Sequence, residues 1–401
     1  MSRPAAHHGA DRPAALHAPV DVSVVTSGHH VADARLHRHC AALRRAGLTV
    51  EVLARGRPAD APPGVDFRPI GSGGLGRRAL HALLLPARAR GPVLLTLDPD
   101  LVPAARLRRA LHGLPGLPAL PGGGRLLVVD VHEDYQALLR DRAWARGAVG
   151  AAARCWAHTA TRLSRRADLT VVADEHVPPH DAAHRMVVRN LPDFRLLPAP
   201  QPPGPVPRAL YVGDVRGSRG LWTMLAAAEA APGWQLDLVG PVAVADRDRL
   251  REWQRTSPAA DRVRLHGRMP PRAAWRLAEG AWAGLALLEP TRAFVDCIPS
   301  KVYEYLACGL PVLSTPLPRA AGLVRERGAG TVAADAAQAG RVLTGWAGPQ
   351  RAAYDRCRAG AVRWSEEHQH AANPYDALAG AVAALLAAAR LHPLPDPAEA
   401  A

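Results

Sequence analysis

Residues 283–288 read Ala283-Gly284-Leu285-Ala286-Leu287-Leu288, and residues 296–304 read Asp296-Cys297-Ile298-Pro299-Ser300-Lys301-Val302-Tyr303-Glu304. Residues 311–315 follow as Pro311-Val312-Leu313-Ser314-Thr315. The two outer runs are apolar and of strand length, and Val302, Tyr303, Leu306 and Ala307 recur at helical spacing between them. Glu289 to Ile298 is a polar loop, Pro299 suits the first turn of a helix, and Gly309 stops it. The unit is therefore strand, loop, helix, strand, a right-handed crossover between parallel strands. Its helix start directs free N–H groups and a positive dipole end above the sheet, where an anion binds. Lys301, the single lysine in 401 residues, stands at that start. Glu304 follows about one turn in, where a carboxylate can accept from sugar hydroxyls.

The alternation extends along the whole chain. In the first half, strands are predicted at Asp21–Thr26, Thr49–Ala54, Val65–Ile70, Val93–Leu97, Leu126–Val131, Leu169–Ala173 and Met186–Arg189. Helices are predicted at Asp33–Ala46, Arg77–Arg90, Leu101–Leu111 and over much of Leu138–Arg166. A run from Leu197 to Pro207 holds six prolines and forms neither helix nor central strand, so it reads as a semi-rigid linker. Strands then resume at Ala209–Gly213, Gln235–Val239, Val263–His266, Ala283–Leu288, Val312–Thr315 and Thr331–Ala333. The expected division is a loose tail 1–19, a doubly wound domain 20–192, the linker 193–207 and a second doubly wound domain 208–346. Helices over 347–391 and a loose tail 392–401 complete it. Ligands of such sheets sit beyond the carboxyl ends of the strands, so the two domains face each other across a cleft.

Composition narrows the class. Hydrophobic residues make up 48% of the chain, enough for two full cores. Five widely spaced cysteines, Cys40, Cys155, Cys297, Cys308 and Cys357, have neither zinc nor disulfide-framework spacing, which favours a reduced, cytoplasmic setting. The first residues lack the apolar core of a signal peptide, and no uninterrupted apolar run spans a bilayer. The formal charge is +14, with 26 Arg against 16 acids in residues 1–192. That surplus suits phosphorylated ligands or an anionic surface. Aromatic residues are only 4% and no nucleic-acid motif is present, so nucleic acid is not the expected partner.

Three further stretches carry chemistry. Val212-Gly213-Asp214-Val215-Arg216-Gly217-Ser218-Arg219-Gly220 opens the second domain with glycines for a close turn and two arginines that can clamp a diphosphate. In the first domain Leu126 to Val131 ends on His132, Glu133, Asp134 and Tyr135, and the preceding strand ends on Asp98-Pro99-Asp100. His132 closes that strand end with an imidazole that can hydrogen-bond a ligand and titrate near neutral pH. The first loop, Thr26-Ser27-Gly28-His29-His30-Val31-Ala32-Asp33-Ala34-Arg35, gathers Gly28, His29, His30, Asp33 and Arg35. Its histidines lack a placed carboxylate partner, so no metal site is read there. Arg154, His158, Arg162 and Arg166, beside Trp156, form a basic face, with Arg142 and Arg146 further round the spiral; peripheral membrane contact is one use for it, solvation another.

The Asp296…Glu304 pair resembles the donor site of family 4 retaining glycosyltransferases, whose two acids are separated by seven positions. Aspartate stands where the family usually has glutamate. The run Glu304-Tyr305-Leu306-Ala307-Cys308-Gly309-Leu310-Pro311-Val312 also looks like that family, as do Arg219-Gly220 and the Asp-x-His-Glu run at Asp130–Glu133. Asp214 occupies the place of the family's first phosphate-binding arginine, and Arg216 is the candidate substitute.

The resemblance implies the GT-B fold, two Rossmann-like domains facing a cleft, with a terminal helix crossing back to the first. It implies a nucleotide-diphosphate sugar as co-substrate, no metal and no cofactor. The acceptor is a carbohydrate, a lipid-linked or a small molecule. Donor contacts would come from Gly213, Arg216, Arg219, Gly220, Asp296, Pro299, Ser300, Lys301 and Glu304. Catalytic groups would be His132, Lys301 and Arg219, and the acceptor side Gly28, His29, Asp33, Arg35, Asp98 and Glu133. The expected location is cytoplasmic, with the inner membrane face as an option. A nucleotide-sugar epimerase of the same fold, a non-catalytic sugar-nucleotide-binding protein and a nucleic-acid-binding protein stay open as alternatives.

Overall fold

The computed structural model describes residues 19–111, 126–140, 145, 147–295 and 297–391. The first sheet contains β1 (Val22–His30), β2 (Val50–Arg55), β3 (Asp66–Pro69), β4 (Val93–Thr96), β5 (Leu126–Val131), β6 (Leu169–Val172) and β7 (Arg185–Val187), in the order β3-β2-β1-β4-β5-β6-β7. The second contains β8 (Arg208–Val212), β9 (Gln235–Val239), β10 (Val263–Gly267), β11 (Ala283–Ala286), β12 (Val312–Ser314) and β13 (Gly330–Val332), ordered β10-β9-β8-β11-β12-β13. The registered strand pairs of both sheets run parallel. Central strands such as β4, β6 and β11 are buried along their whole length, which is why they read as unbroken apolar runs. The chain order reverses between β1 and β4 and again between β8 and β11, and such reversals open a crevice at the strand ends.

Each sheet is covered on both faces. One face of the first packs on helix Ala34–Arg45 and on the last helix, Pro374–Leu391, through Leu36, Leu43, Tyr375, Leu378 and Val382. The other packs on Leu85, Leu101, Val102 and Ala105. Helix Arg351–His368 instead lies on the second domain, burying Ala361 and Trp364 beside Leu306 and Val312. The terminal segment thus leaves the second domain and crosses to the first. Helix Pro374–Leu391 is long and apolar enough to cross a membrane, yet Tyr375, Leu378, Ala379, Val382 and Leu386 are buried in the first domain's core.

Some local readings shift. β1 continues through Thr26–His30, read above as loop, with its register against β2 changing between Val25 and His30. The Asp98 carboxylate explains this, because it accepts from the backbone N–H of Ser27 at 2.8 Å and of Gly28 at 3.0 Å. The helical stretch 138–166 is two helices, Tyr135–Arg140 and Gly147–Ser164. Pro299 is the N-cap, one position before the helix Ser300–Ala307. The Pro-rich connection is laid on the second domain: Gly204 N–H donates to Gly280 O at 2.9 Å, and Trp282 Nε1 donates to Gly204 O at 2.7 Å. The tails 1–18 and 392–401, and Asp296, lie outside the described residues, as do Arg142 and Arg146.

Candidate active site

The described residues expected on the donor side gather where β8 and helix Ser300–Ala307 meet. Gly213 leaves β8 with φ +141°, and a Cβ there would come within 2.9 Å of Lys301 Nζ. Gly220 has φ +85° and so closely abuts β11's extension that a Cβ would fall 1.9 Å from Leu287 O. Both positions require glycine. Lys301 is buried, its Nζ standing 3.6 Å over the ring of Tyr211 with no hydrogen-bond partner among the described residues. Burial pushes its pKa well below the ordinary lysine value, and the like charge of Arg219 adds to that; Glu304 and Asp214 pull the other way. Arg219 reaches towards Tyr211 and lies 5.8 Å over the Phe294 ring, its Nε buried and without a hydrogen-bond partner among the described residues. Arg216 comes within 3.7 Å of Asp214, the residue at the place of the missing arginine. A buried ammonium without an acceptor is unfavourable until an anion arrives, and here it stands beside a second cation.

Glu304, one turn along from Ser300, is also buried and reaches the first domain. Its Oε1 accepts from Arg38 of helix Ala34–Arg45. Arg38 was not singled out in the sequence, because nothing in an Arg-rich helix marks one arginine as facing the other domain.

Across the cleft, the ends of β1, β4 and β5 gather His29, Asp98 and His132. His29 Nδ1 is 3.1 Å from Asp98 Oδ1, and the His29 and His132 rings lie 5.0 Å apart, edge to face. Burial opposes charge on His29, but Asp98, with Asp33 and Glu133, outweighs it and raises the pKa to about 9. His132 moves the other way, lowered by burial and by the charge of His29. The two imidazoles are thus a cationic one beside a neutral one. Tyr135 Oη is 3.1 Å from His132 Nδ1 and donates to Leu97 O at 3.2 Å. With the phenol proton on that carbonyl, His132 Nδ1–H donates to the phenol oxygen and Nε2 keeps its lone pair for a ligand.

Asp33 serves a helix start. It caps helix Ala34–Arg45, its Oδ1 accepting from Arg35 N–H at 2.9 Å and Leu36 N–H at 3.1 Å. Arg35 lies in the interior with all five N–H groups engaged: two on Asp130 at 2.6 and 2.7 Å, one on Tyr375 Oη at 3.0 Å and two on Val188 O at 3.3 Å. It has no donor left for an acceptor substrate. Asp130 also meets His39 Nε2 at 2.7 Å. Gly28 is pressed against Arg78 and Asp98, a Cβ there falling 2.9 Å from the Arg78 guanidinium carbon. Glu133 is exposed at the rim. Among the described residues no group of three His, Cys, Asp or Glu side chains is placed to hold a metal ion.

Two parallel-sheet domains with their strand ends facing a shared cleft define the GT-B fold. Residues 218–378 match the family model described as glycosyl transferase-like. Among solved structures, a sucrose-phosphate synthase from Thermosynechococcus elongatus superposes with a TM-score of 0.63 at 15% identity, covering 92% of this chain and 100% of that one. HepE of Anabaena, in complex with UDP and glucose, gives 0.58 at 13% identity over 92% and 100%. WaaG, a glycosyltransferase involved in lipopolysaccharide biosynthesis, gives 0.58 at 14% over 90% and 99%. No curated protein sequence matches the chain.

Proposed function

We propose that the protein is a metal-independent, retaining glycosyltransferase that moves a sugar from a nucleotide-diphosphate donor to an acceptor held by its first domain. The observation that carries this reading is Lys301 Nζ, buried and without an acceptor among the described residues, beside Arg219 at a turn whose glycines admit a ligand's backbone-close approach. A diphosphate supplies the missing acceptors. Glu304, with Oε1 on Arg38, offers Oε2 to a ribose hydroxyl. Neutral His132 presents Nε2 to a hydroxyl of the transferred sugar, and His29 stands beside it on the acceptor side. Asp296 keeps its assignment to the transferred sugar.

In the transfer, the acceptor hydroxyl oxygen bonds to the anomeric carbon as that carbon's bond to the β-phosphate oxygen breaks. The electron pair leaves with the diphosphate, and the acceptor proton passes to the departing phosphate oxygen on the same face. Lys301, Arg219 and Arg216 stabilise the charge that develops on the leaving group, the service a metal gives elsewhere. Free cysteines at all five positions agree with a reducing, cytoplasmic setting. The exposed Leu80, Leu83, Leu84 and Trp156 on the first domain agree with a lipid-linked acceptor at a membrane face.

The test is turnover. The purified protein, in chelator, is incubated with UDP-, GDP-, TDP- and ADP-sugars and carbohydrate or lipid-linked acceptors, with UDP-glucose first because HepE binds it. Nucleoside diphosphate release with a product of unchanged anomeric configuration by NMR is expected. An inverted product overturns retention, and donor isomerised without acceptor overturns transfer.

A further inference from the structure

The donor acid of the second domain is held by a residue of the first. Arg38 and Glu304 are both buried and ion-paired, although one lies on helix Ala34–Arg45 and the other on helix Ser300–Ala307. Arg38 is itself anchored. Its other amino group donates to Asn190 Oδ1, which also accepts from Tyr375 Oη at 3.0 Å. Tyr375 Oη in turn accepts from Arg35 at 3.0 Å, and Arg35 forks onto Asp130, two residues before His132. One hydrogen-bonded chain therefore runs from the end of β5, beneath His132, to the carboxylate of Glu304. It passes through Asn190, where the chain leaves the first domain, and through Tyr375 of the helix that crosses back.

We infer that Arg38 is a donor-site positioning residue supplied by the opposite domain: it aims the Glu304 carboxylate and ties nucleotide binding to apposition of the two domains. This rests on the assignment of Glu304 to the donor. Removing either partner while the domains stay apposed would leave the other as an unpaired buried charge, which is strongly unfavourable. The bonded arrangement is also the one that fixes which carboxylate oxygen meets the ligand. A nucleotide that binds Oε2 while Arg38 holds Oε1 favours the apposed state by its differential affinity, so binding and closure share one free energy.

Arg38→Met removes the charge and keeps the stem, Arg38→Lys keeps the charge, and Glu304→Gln weakens the other partner. Affinities for UDP, GDP, TDP and ADP are measured by calorimetry, and the radius of gyration by small-angle scattering, on the full chain. For the nucleotide that binds wild type, Arg38→Met should weaken binding by about tenfold or more, as expected for a close charged pair. The Arg38→Met/Glu304→Gln double variant should bind no more weakly than the weaker single, and Arg38→Lys should recover part of the loss. Ligand-free Arg38→Met should scatter with a larger radius than wild type. Wild-type affinity in Arg38→Met, or losses that simply add in the double variant, overturns the inference and leaves the donor reading standing. A wild-type protein that binds none of the four nucleotides defeats the donor reading itself, and this inference with it.

Discussion

The ammonium of Lys301 stands 3.6 Å above the ring of Tyr211 and has no hydrogen-bond acceptor among the described residues. A cation–π contact is worth less than the hydrogen bonds a buried ammonium forgoes. The ligand-free protein is therefore expected to tolerate Lys301→Met well, unfolding at the same temperature or gaining about 1–2 kcal/mol. Turnover should fall by about a hundredfold or more, in line with loss of a placed cation at a developing charge. Donor KM should rise much less than kcat falls. Melting curves and steady-state kinetics of the one variant read both; a variant that loses stability yet keeps kcat would assign Lys301 to the fold.

Gly220 and Gly213 admit no side chain for different reasons. At Gly220 a Cβ would meet Leu287 O at 1.9 Å with φ at +85°, so Gly220→Ala must displace backbone. It should cost about 2 kcal/mol or more of stability. At Gly213 the nearest atom is Lys301 Nζ at 2.9 Å, the far end of a flexible side chain, though φ is +141°. Gly213→Ala should harm donor binding more than Gly220→Ala does, relative to its effect on the melting temperature. Paired melting and nucleotide-affinity measurements decide this, and equal ratios would contradict it.

His29 gives the protein a pH signature. Its pKa is raised from an ordinary 6.5 to about 9, so the folded state holds a proton that the unfolded chain releases. The stabilisation is complete below pH 6.5 and is lost as pH rises through 9. At about 1.4 kcal/mol per pH unit of displacement, the loss reaches up to about 3 kcal/mol. Urea unfolding of wild type minus His29→Gln, measured from pH 6 to 10, should show that decline. A flat difference would mean that His29 is not charged against Asp98.

Arg35 and Asp130 form a buried pair with no part left over for ligand. Asp130→Asn and Arg35→Lys should each destabilise by about 3–5 kcal/mol, because each strands or misdirects a buried charge. Nucleotide affinity of the protein that stays folded should change little by comparison. Calorimetry at low temperature checks this, and an Arg35→Lys variant that folds normally but loses only acceptor KM would return Arg35 to the acceptor site.

Much of the architecture was legible in the residues. Strands at Leu126–Val131 and Gln235–Val239 match to the residue, because buried parallel strands are short apolar runs bounded by turns. The gathering of Lys301, Arg219, Gly213 and Gly220 at one turn was legible too, since a helix start and glycines at a strand end are local signals. The roles that escaped depend on partners far along the chain. Arg35 pairs 95 residues away, and Arg38 reaches Glu304 across 266. In a chain with dozens of arginines, local pattern cannot say which are interior struts. The extension of β1 through Gly28 was likewise set by Asp98, some 70 residues on.

The central claim is that Lys301, Arg219 and Glu304 form a nucleotide-diphosphate site that works without metal. The most direct test is the thermal shift of the wild-type protein with UDP, GDP, TDP and ADP in the presence of EDTA, beside Arg219→Met and Glu304→Gln. A ligand confined to the folded state raises its apparent stability according to concentration over Kd. One nucleotide should raise the melting temperature of wild type, and both variants should lose most of that rise. No shift with any of the four, or a shift that both variants keep in full, would contradict the account.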